Sequence, residues 1–550
     1  MADTVHSAVY RWLQARGIRH VFGNPGSTEL GFLSDFPADM HYVLALQESV
    51  ALAMADGYAQ SSGHPAFLNL HTAPGLGNAM GALFTALKNK TPLIVTAGQQ
   101  DTRMLRYDPL LSGPLVGIAR PLVKWAHQPA VAAEVPAALE RAYHIAMTPP
   151  TGPVFLSIPM DFWEQPAEYV EPRDVVLAGA PSSPQLAALV SALNAAANPV
   201  MVAGSGIDRS GAWAEAVALA ERFSLPVWAE PLAPRAAFPG DHPLFAGHLK
   251  PAQGLIAQTL LGHDLVLVVG APAFLYYPNV PGPVVPPGAV LWLVTDDPDD
   301  AARAPVGSAL VAGVRETLAA LAGAVTPRPQ PLPSRAVEVA KRRSAAARVR
   351  EKMGAAFVLH TLSSHVTPET VVVDESISNS LTLRDYLPPR TPGSYFTAYS
   401  GGLGWAMPAA TGLALADPTR PVVAVVGDGS SLYSIQALWT AAREKAGVVF
   451  VILNNGQYGI LKGYAQSFYP GQEKKVPGLD LPGLDISAAA SALGVPAVRV
   501  TSPDQVGPAF ADAFEQAFGA AGGSGMGSPA VSHGPRLVEV MIDPTPVPLV

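Results

Sequence analysis

The 550 residues contain no cysteine. That excludes disulfides and thiolate-held metal, and it removes the usual marker of redox compartment. Charge is also scarce: Asp, Glu, Lys and Arg make up 14% of the chain and the formal net charge is −8. No basic stretch forms a stripe for nucleic acid, and the one cluster, Lys341-Arg342-Arg343, falls in a helical linker pattern. No apolar run reaches the roughly 20 residues that cross a bilayer, so no membrane partner is expected. The opening MADTVHSAVYRWL has neither a basic n-region nor an apolar h-region, so a soluble cytoplasmic protein is the expectation. Apolar residues, in contrast, are plentiful at 49%, enough for several large cores.

Short β-branched or apolar runs alternate with helical patterns along the whole chain. In the first 160 residues they are His20-Val21-Phe22, Tyr42 to Leu46, Ala66 to Leu70, Leu93 to Ala97 and Val154 to Ile158. A second set follows at Val200 to Ala203, Pro226 to Ala229, Leu265 to Val269 and Val290 to Val294. The third set is Val371 to Asp374, Val422 to Val426, Val448 to Leu453 and Leu537 to Met541. Alternation of this kind predicts parallel sheets covered by helices, an α/β class with three doubly wound domains. WEQPAEYVEPRD (163–174) and the Pro-rich TPRPQPLPSR (326–335) read as linkers, giving domains over 1–175, 181–325 and 341–550. GAAGGSGMGS (519–528) reads as a surface loop.

The most informative stretch is VVAVVGDGSSLYSIQALWTAAREKAGVVFVILNNGQYG, residues 422 to 459. One buried strand runs into Gly427-Asp428-Gly429-Ser430 and a second into Asn454-Asn455-Gly456. Ligands of parallel sheets bind outside the carboxyl ends of strands, so the two polar clusters can lie side by side. Glycines let backbone approach an anion, a helix N-terminus favours phosphate, and Asp428 with Asn455 offers hard oxygens for octahedral magnesium. GDGS alone would be a turn with a helix cap; its pairing with NN, each after an apolar strand, is what carries the reading.

GDGS followed by NN at this spacing resembles the cofactor motif of the thiamin-diphosphate-dependent decarboxylase family. FGNPGS (22–27), LALQE (44–48), ADGYAQ (55–60), NLH (69–71), GNAMGAL (77–83), PLIVTAGQQ (92–100), RPLVKW (120–125) and GGLGWAMPAA (401–410) extend the resemblance, and most resemble its benzoylformate decarboxylases. The resemblance implies three domains: pyrimidine-binding, central and diphosphate-binding. It implies thiamin diphosphate with Mg2+, for which Ca2+ can substitute, and no FAD. Metal ligands would be Asp428, Asn455 and the carbonyl of Gln457. Asn24, Pro25, Gly26, Glu375, Ser376, Ile377, Ser378, Gly401, Gly427, Gly429, Ser430 and Tyr458 would line the cofactor, and Leu403 would prop its two rings against each other.

Glu48 stands between an apolar run and an alanine-rich helical pattern, where an unpartnered carboxylate costs several kcal/mol or titrates upward. By itself it suits the first turn of a helix, satisfied by the dipole. The resemblance implies something else for it, a bond to the aminopyrimidine N1′ that promotes loss of the thiazolium C2 proton. His71 suits a core histidine or, by resemblance, the imidazole that moves protons near neutral pH. Ser27 suits a cap for a helix beginning at Thr28, or the hydroxyl that binds the substrate carboxylate.

Two departures from the family pattern stand out. A second active-site histidine would fall in GAPAFLYYPNVPG (270–282), where Tyr277 stands instead; a phenol, with a pKa of about 10, is a poorer shuttle at neutral pH. Phenylalanine positions of the substrate pocket fall on Thr397 and Tyr464, while Leu110 and Leu111 are kept and Ile460 and Leu461 complete the lining. The implied reaction is decarboxylation of a 2-oxo acid to an aldehyde and CO2, with carboligation by a second aldehyde possible. The family's site lies between two chains, which implies at least a homodimer and usually a homotetramer. The alternatives are a synthase of the acetolactate type that makes 2-hydroxy ketones, and an inactive thiamin-diphosphate-binding subunit. The conjunction of Glu48, His71 and Ser27 argues against the latter.

Overall fold

The computed structural model describes residues 3–175, 179–328, 353–471, 476–519 and 533–545. Lys341-Arg342-Arg343, most of the Pro-rich 326–335 stretch, the start expected for a third domain at 341 and nearly all of 519–528 lie outside the described residues.

Among the described residues, eighteen strands form three six-stranded sheets. The first contains β1 (His20–Gly23), β2 (His41–Leu44), β3 (Ala66–Leu70), β4 (Leu93–Gln99), β5 (Ala126–His127) and β6 (Val154–Pro159), in the order β2-β1-β3-β4-β6-β5. The second contains β7 (Pro199–Ala203), β8 (Val227–Ala229), β9 (Phe245–His248), β10 (Leu265–Val269), β11 (Val290–Thr295) and β12 (Ser308–Val311), in the order β12-β11-β10-β7-β8-β9. The third contains β13 (Val371–Glu375), β14 (Tyr395–Thr397), β15 (Val422–Gly427), β16 (Val448–Asn454), β17 (Ala497–Val500) and β18 (Arg536–Met541), in the order β14-β13-β15-β16-β18-β17. Neighbours pair in parallel, as in Val422↔Val448 to Gly427↔Leu453. Central strands such as β3, β4, β6, β7, β10 and β16 are buried at every residue, which is why they read as unbroken apolar runs.

In the first sheet the chain leaves β1 for β2 on one side and returns to β3 on the other. The third sheet does the same from β13, with β14 on one side and β15 on the other. Such reversals open a crevice at the carboxyl ends of the strands on either side. The residues after β1, β2 and β3 are Asn24–Ser27, Glu48 and His71; those after β13, β15 and β16 are Ser376–Ser378, Asp428–Ser430 and Asn455–Tyr458. Topology thus delivers the chemistry-bearing residues to two strand-end crevices.

By contacts the chain groups into two compact units: Met1–Val176 with Val373–Ser378 and Ala398–Val550, and Leu177–Val372 with Asn379–Thr397. Three sheets therefore do not make three separate bodies of contacts. The reason lies in two helices of the first unit, Glu48–Ser62 and Ala406–Ala416, which pack with almost nothing between them. A Cβ on Gly57 would lie 2.2 Å from the Ala409 carbonyl oxygen, and one on Gly412 would lie 1.9 Å from that of Met54. No described helix is long and apolar enough to cross a membrane.

This packing makes a signed prediction. Gly→Ala inside a helix gains about 1 kcal/mol from propensity, and overpacking costs roughly 1–3 kcal/mol. Nothing lies within 4 Å of a Cβ built on Gly81, in the helix Thr72–Asn89, so Gly81→Ala should raise the thermal midpoint slightly. At Gly412 the clash is with backbone, so Gly412→Ala should lower it by several degrees. Midpoints moving together in thermal unfolding would contradict the close helix contact.

Candidate active site

Three neighbouring strands of the first sheet end in one polar cluster. After β1, Asn24-Pro25-Gly26 leads into a 3-10 turn, Ser27–Glu29. Ser27 is not its cap. The cap position is Gly26, whose N–H is taken by Glu29 Oε2 at 2.9 Å, so the Ser27 hydroxyl is left exposed at the mouth of the crevice. After β2, Gln47 caps the helix Glu48–Ser62 by accepting from the N–H groups of Ser49 and Val50. Capping by Gln47 leaves Glu48 for other work. Its carboxylate is buried, with Oε2 accepting from Asn78 Nδ2 at 3.1 Å. No lysine or arginine pairs with it among the described residues. Oε1 lies beside Gly75, where a Cβ would come within 3.0 Å.

After β3, His71 sits at the start of the helix Thr72–Asn89, at a sharp turn in which Thr72 has φ +41°. A β-branched residue in that region is strained, and it aims the imidazole back over the β1 turn. Nδ1 of His71 lies 2.8 Å from Glu29 Oε2. Glu29 is fully buried and accepts from Gly26 N, Thr28 Oγ1 (2.6 Å), Gly98 N (3.1 Å) and the imidazole. With donors on both oxygens Glu29 acts as the acceptor, so the proton of neutral His71 is assigned to Nδ1 and Nε2 keeps its lone pair. A Cβ on Gly26 would lie 2.1 Å from His71 Nδ1, so only glycine leaves the ring its place. Sequence reasoning passed over Glu29 and Asn78. The signal for Glu29 was an acid two residues beyond Ser27, inside an otherwise uncharged FGNPGSTEL.

The second cluster lies at the ends of β13, β15 and β16. Asp428 begins the short helix Asp428–Ser431 and is buried; burial raises its carboxyl pKa, and the N–H groups of Gly429, Gly456 and Gln457 pull it back. Its Oδ2 accepts from Gly456 N at 2.8 Å. The two asparagines divide their work. Asn454 is buried and ties Glu539 Oε1 (2.6 Å) to the Gly456 turn, whereas Asn455 is half-buried, with Oδ1 accepting from Gln457 N at 3.2 Å. The Gln457 carbonyl accepts from Gly459 N at 3.0 Å, and the Tyr458 ring lies against Gly429, where a Cβ would clash at 2.6 Å. A buried carboxylate with no cation partner among the described residues, an amide oxygen and a main-chain carbonyl fit a hard divalent cation. The described residues contain no group of three His, Cys, Asp or Glu that would offer a rival metal site.

The segment after β13 contributes less side-chain chemistry than its composition suggests. Glu375 faces inward, its carboxylate accepting from the N–H groups of Gly404 (2.6 Å), Trp405 (2.9 Å) and Ala406 (2.6 Å). Burial pushes its pKa up to about 7 against the pull of those three donors. The Ser376 hydroxyl is spent on Asp374 at 2.7 Å. Ser378 Oγ would lie 3.2 Å from a Cβ on Gly459, next to Asn455 Nδ2, and is the group of this segment that faces the second cluster. Ser430 is buried beside Gly427, and Gly401 (φ +70°) and Gly404 (φ +89°) flank a half-buried Leu403.

Of the candidate substrate-pocket residues in the first unit, Leu110 is 85% exposed and Leu111 holds φ +67°. Ile460 and Tyr464 share a face of the helix Gly459–Phe468, beside the exposed Leu461, and the Tyr464 ring stacks on Phe468 at 5.4 Å. Tyr277 and Thr397 belong to the second unit: Tyr277 is exposed on the segment after β10, and Thr397 ends β14 with its N–H donating to Pro234 O at 2.9 Å. No hydrogen bond joins the Glu48–His71 cluster to the Asp428–Asn455 cluster among the described residues.

Comparison with known proteins places this geometry. Residues 3–122, 186–321 and 378–521 match the models of the N-terminal thiamine pyrophosphate (TPP) binding domain, the central domain and the C-terminal TPP binding domain of thiamine pyrophosphate enzymes. The chain is 44% identical over 508 residues to a benzoylformate decarboxylase of Pseudomonas aeruginosa, covering 92% of this chain and 95% of that one. It is 26% identical over 526 residues to an acetolactate synthase large subunit of Haemophilus influenzae, covering 92% and 91%. Among solved structures, a thiamine-diphosphate-dependent 4-hydroxybenzoylformate decarboxylase of Rhodococcus jostii RHA1 superposes with a TM-score of 0.91 at 39% identity, covering 99% of this chain and all of the other.

The Glu29–His71 pair generates its own test. Glu29→Gln keeps the shape but can offer an N–H to Nδ1, which frees the ring to flip and to change tautomer. Catalytic turnover should fall roughly 10²-fold, the scale of a general acid–base contribution, with the melting temperature nearly unchanged. Turnover within a factor of two of wild type would remove Glu29 from the account.

Proposed function

The chain belongs to the thiamine pyrophosphate enzymes, and on that premise we propose how its residues carry out non-oxidative decarboxylation of a benzoylformate-like 2-oxo acid to an aldehyde and CO2. The observation that carries the proposal is the pair of strand-end crevices, one holding a buried glutamate without a cationic partner and the other a buried aspartate beside two further oxygen ligands. Thiamin diphosphate, when bound, supplies the electron sink that accepts the charge left when CO2 departs.

Everything else falls to the protein. Asp428, Asn455 and the Gln457 carbonyl would hold Mg2+, and Ca2+ suits the same oxygens. The N–H groups at the start of the Asp428 helix, the Ser378 hydroxyl and Tyr458 would hold the diphosphate, and Leu403 would pack against the rings. Asn78 occupies one oxygen of Glu48 and leaves the other for the ring nitrogen of the cofactor. Ser27, at the rim and without an internal partner, donates to the substrate carboxylate. His71, its Nδ1–H fixed by Glu29, presents Nε2 to take up or deliver a proton at the carbonyl oxygen of the substrate. The carboxylate of Glu375 is committed to backbone N–H groups, so its contribution is to hold the Gly404–Ala406 turn.

The two crevices serve one cofactor when a second copy supplies the facing half, which makes a homodimer the smallest active form and a homotetramer a pair of such dimers. Exposed large side chains on segments that follow the strand ends, Leu30, Leu46, Tyr107, Leu110 and Tyr433, support an apolar contact there. A second outcome follows from Tyr277, a phenol in place of an imidazole: with an aldehyde in excess, part of the turnover ends as a 2-hydroxy ketone.

Release of CO2 from a panel of aryl, branched and short 2-oxo acids, with thiamin diphosphate and Mg2+, checks the reaction. Aryl substrates should turn over fastest, chelation should abolish turnover, and Mg2+ or Ca2+ should restore it. Glu48→Gln should bind cofactor but lose at least about 100-fold in kcat. No CO2 from any acid, with cofactor demonstrably bound, refutes the assignment. Tyr277→His should raise the ratio of aldehyde to hydroxy ketone, and an unchanged ratio removes Tyr277 from the chemistry.

A further inference from the structure

The turn from Tyr399 to Ala406 carries Leu403 between two glycines of positive φ, Gly401 and Gly404. Glycines bring more conformational freedom than any other residue, so this turn holds Leu403 in one place only if it is pinned from outside. The pins come from both sides. From the C-terminal sheet Glu375 takes the N–H groups of Gly404, Trp405 and Ala406. From the N-terminal elements Asn89 Oδ1 takes Tyr399 N at 3.0 Å, and Thr85 Oγ1 meets Ser400 Oγ at 2.8 Å.

The remaining pin is Asp56, two turns along the helix that Glu48 begins. Its carboxylate is fully buried and divides its partners between its two oxygens. Oδ1 stays at home, accepting from Gln60 Nε2 (2.9 Å) and Thr91 Oγ1 (2.5 Å). Oδ2 reaches outward, accepting from the Trp405 indole N–H at 2.7 Å and from Asn89 Nδ2 at 2.9 Å. Asn89 is the residue whose other end holds Tyr399, so one oxygen governs both ends of the turn. Burial raises the carboxyl pKa, but donors on both oxygens hold it back and no cation takes part. A carboxylate used this way is not needed for solubility or for capping, and the reaction makes no use of it.

We propose that Asp56 is a positioning residue. Through Trp405 and Asn89 it sets the Tyr399–Ala406 turn, and with it Leu403, in fixed register with the helix that presents Glu48. The inference rests on the cofactor reading above, in which Leu403 packs against the rings. Glu48 and Asp56 are eight residues apart on one helix, roughly 12 Å along its axis. The helix is thus a rigid rod joining the Glu48 carboxylate, which serves one site of the dimer, to the turn that shapes the diphosphate-side crevice of the other. Loss of the Oδ2 links leaves both clusters intact but lets Leu403 move, and its effect falls first on cofactor affinity.

Three single variants test this, read by calorimetric titration of the full-length protein with thiamin diphosphate and Mg2+, alongside thermal midpoint and oligomer size. Trp405→Phe keeps the ring and deletes the indole N–H. Asp56→Asn keeps the shape and replaces an acceptor by a donor. Thr91→Val deletes a donor to Oδ1, on the home side. All three should lower the midpoint, but Trp405→Phe and Asp56→Asn should weaken cofactor binding about tenfold, the scale of one hydrogen bond to a charged group, while Thr91→Val stays within twofold. The double variant Trp405→Phe/Asp56→Asn should bind no more weakly than Asp56→Asn alone, since both remove the same link. Unchanged cofactor affinity in Trp405→Phe would overturn the proposal, and so would equal weakening by Thr91→Val, which would make Asp56 packing glue. If Asp56→Asn does not fold, Trp405→Phe against Thr91→Val decides. Failure of wild type to bind thiamin diphosphate at all would instead overturn the cofactor reading.

Discussion

The contact between the helices Glu48–Ser62 and Ala406–Ala416 is the constraint from which the rest follows. It is made at van der Waals distance by Gly57 against Ala409 and by Gly412 against Met54, with no side chain between. Two sheets far apart in sequence thereby become one body of contacts. Helices this close have little freedom to slide, because a shift of one residue brings a larger side chain onto backbone. Each helix also begins at the mouth of its own crevice: the first opens with Glu48, and the second follows directly on the Leu403 turn. Fixing one against the other fixes where Glu48 stands relative to the Leu403 turn of the same chain.

The buried acids of this unit show how the site can hold charge where water is absent. Glu29, Asp56 and Glu375 are all nearly or fully buried, and none is paired with lysine or arginine among the described residues. Each is satisfied by N–H or O–H donors from several directions, and each orients something other than itself: an imidazole, an indole and a helix start. Glu48 and Asp428 differ in kind. Among the described residues Asn78 is the one side chain bonded to Glu48, and Asp428 is left by backbone donors with an environment that still penalises its charge. These two carboxylates are the ones for which the proposed function supplies a partner, a ring nitrogen for Glu48 and a divalent cation for Asp428.

The central strands were legible because burial on both faces makes them continuous apolar runs, and all thirteen expected runs coincide with observed strands. The five strands not expected, β5, β9, β12, β14 and β17, all lie at sheet edges. They are two to four residues long and mostly half-exposed, so they carry neither an apolar run nor a clear alternation. The motif residues were legible because glycine, aspartate and asparagine after a strand have few other uses. What the sequence could not convey was direction. Ser27 suited a helix cap until Glu29 was seen to serve Gly26, and Glu375 suited a diphosphate pocket until its carboxylate was found under the Ala406 helix. Both depend on which way one side chain turns, and local pattern carries no record of that. Glu29 and Asp56 escaped notice for a related reason: their partners, His71 and Trp405, lie 42 and 349 residues away.

The account stands or falls on the claim that Glu48 of one chain and Asp428 of another serve the same cofactor. Subunit exchange measures it directly. Glu48→Gln and Asp428→Asn homo-oligomers should each be nearly inactive. Mixed one to one and allowed to exchange, they form mixed dimers in which one site carries both substitutions and the other carries neither. Activity should then rise to about a quarter of wild type per chain, the share of intact sites at random pairing. Exchange verified by mass spectrometry, with no recovery of CO2 release, would place both carboxylates in a site within one chain and contradict the account.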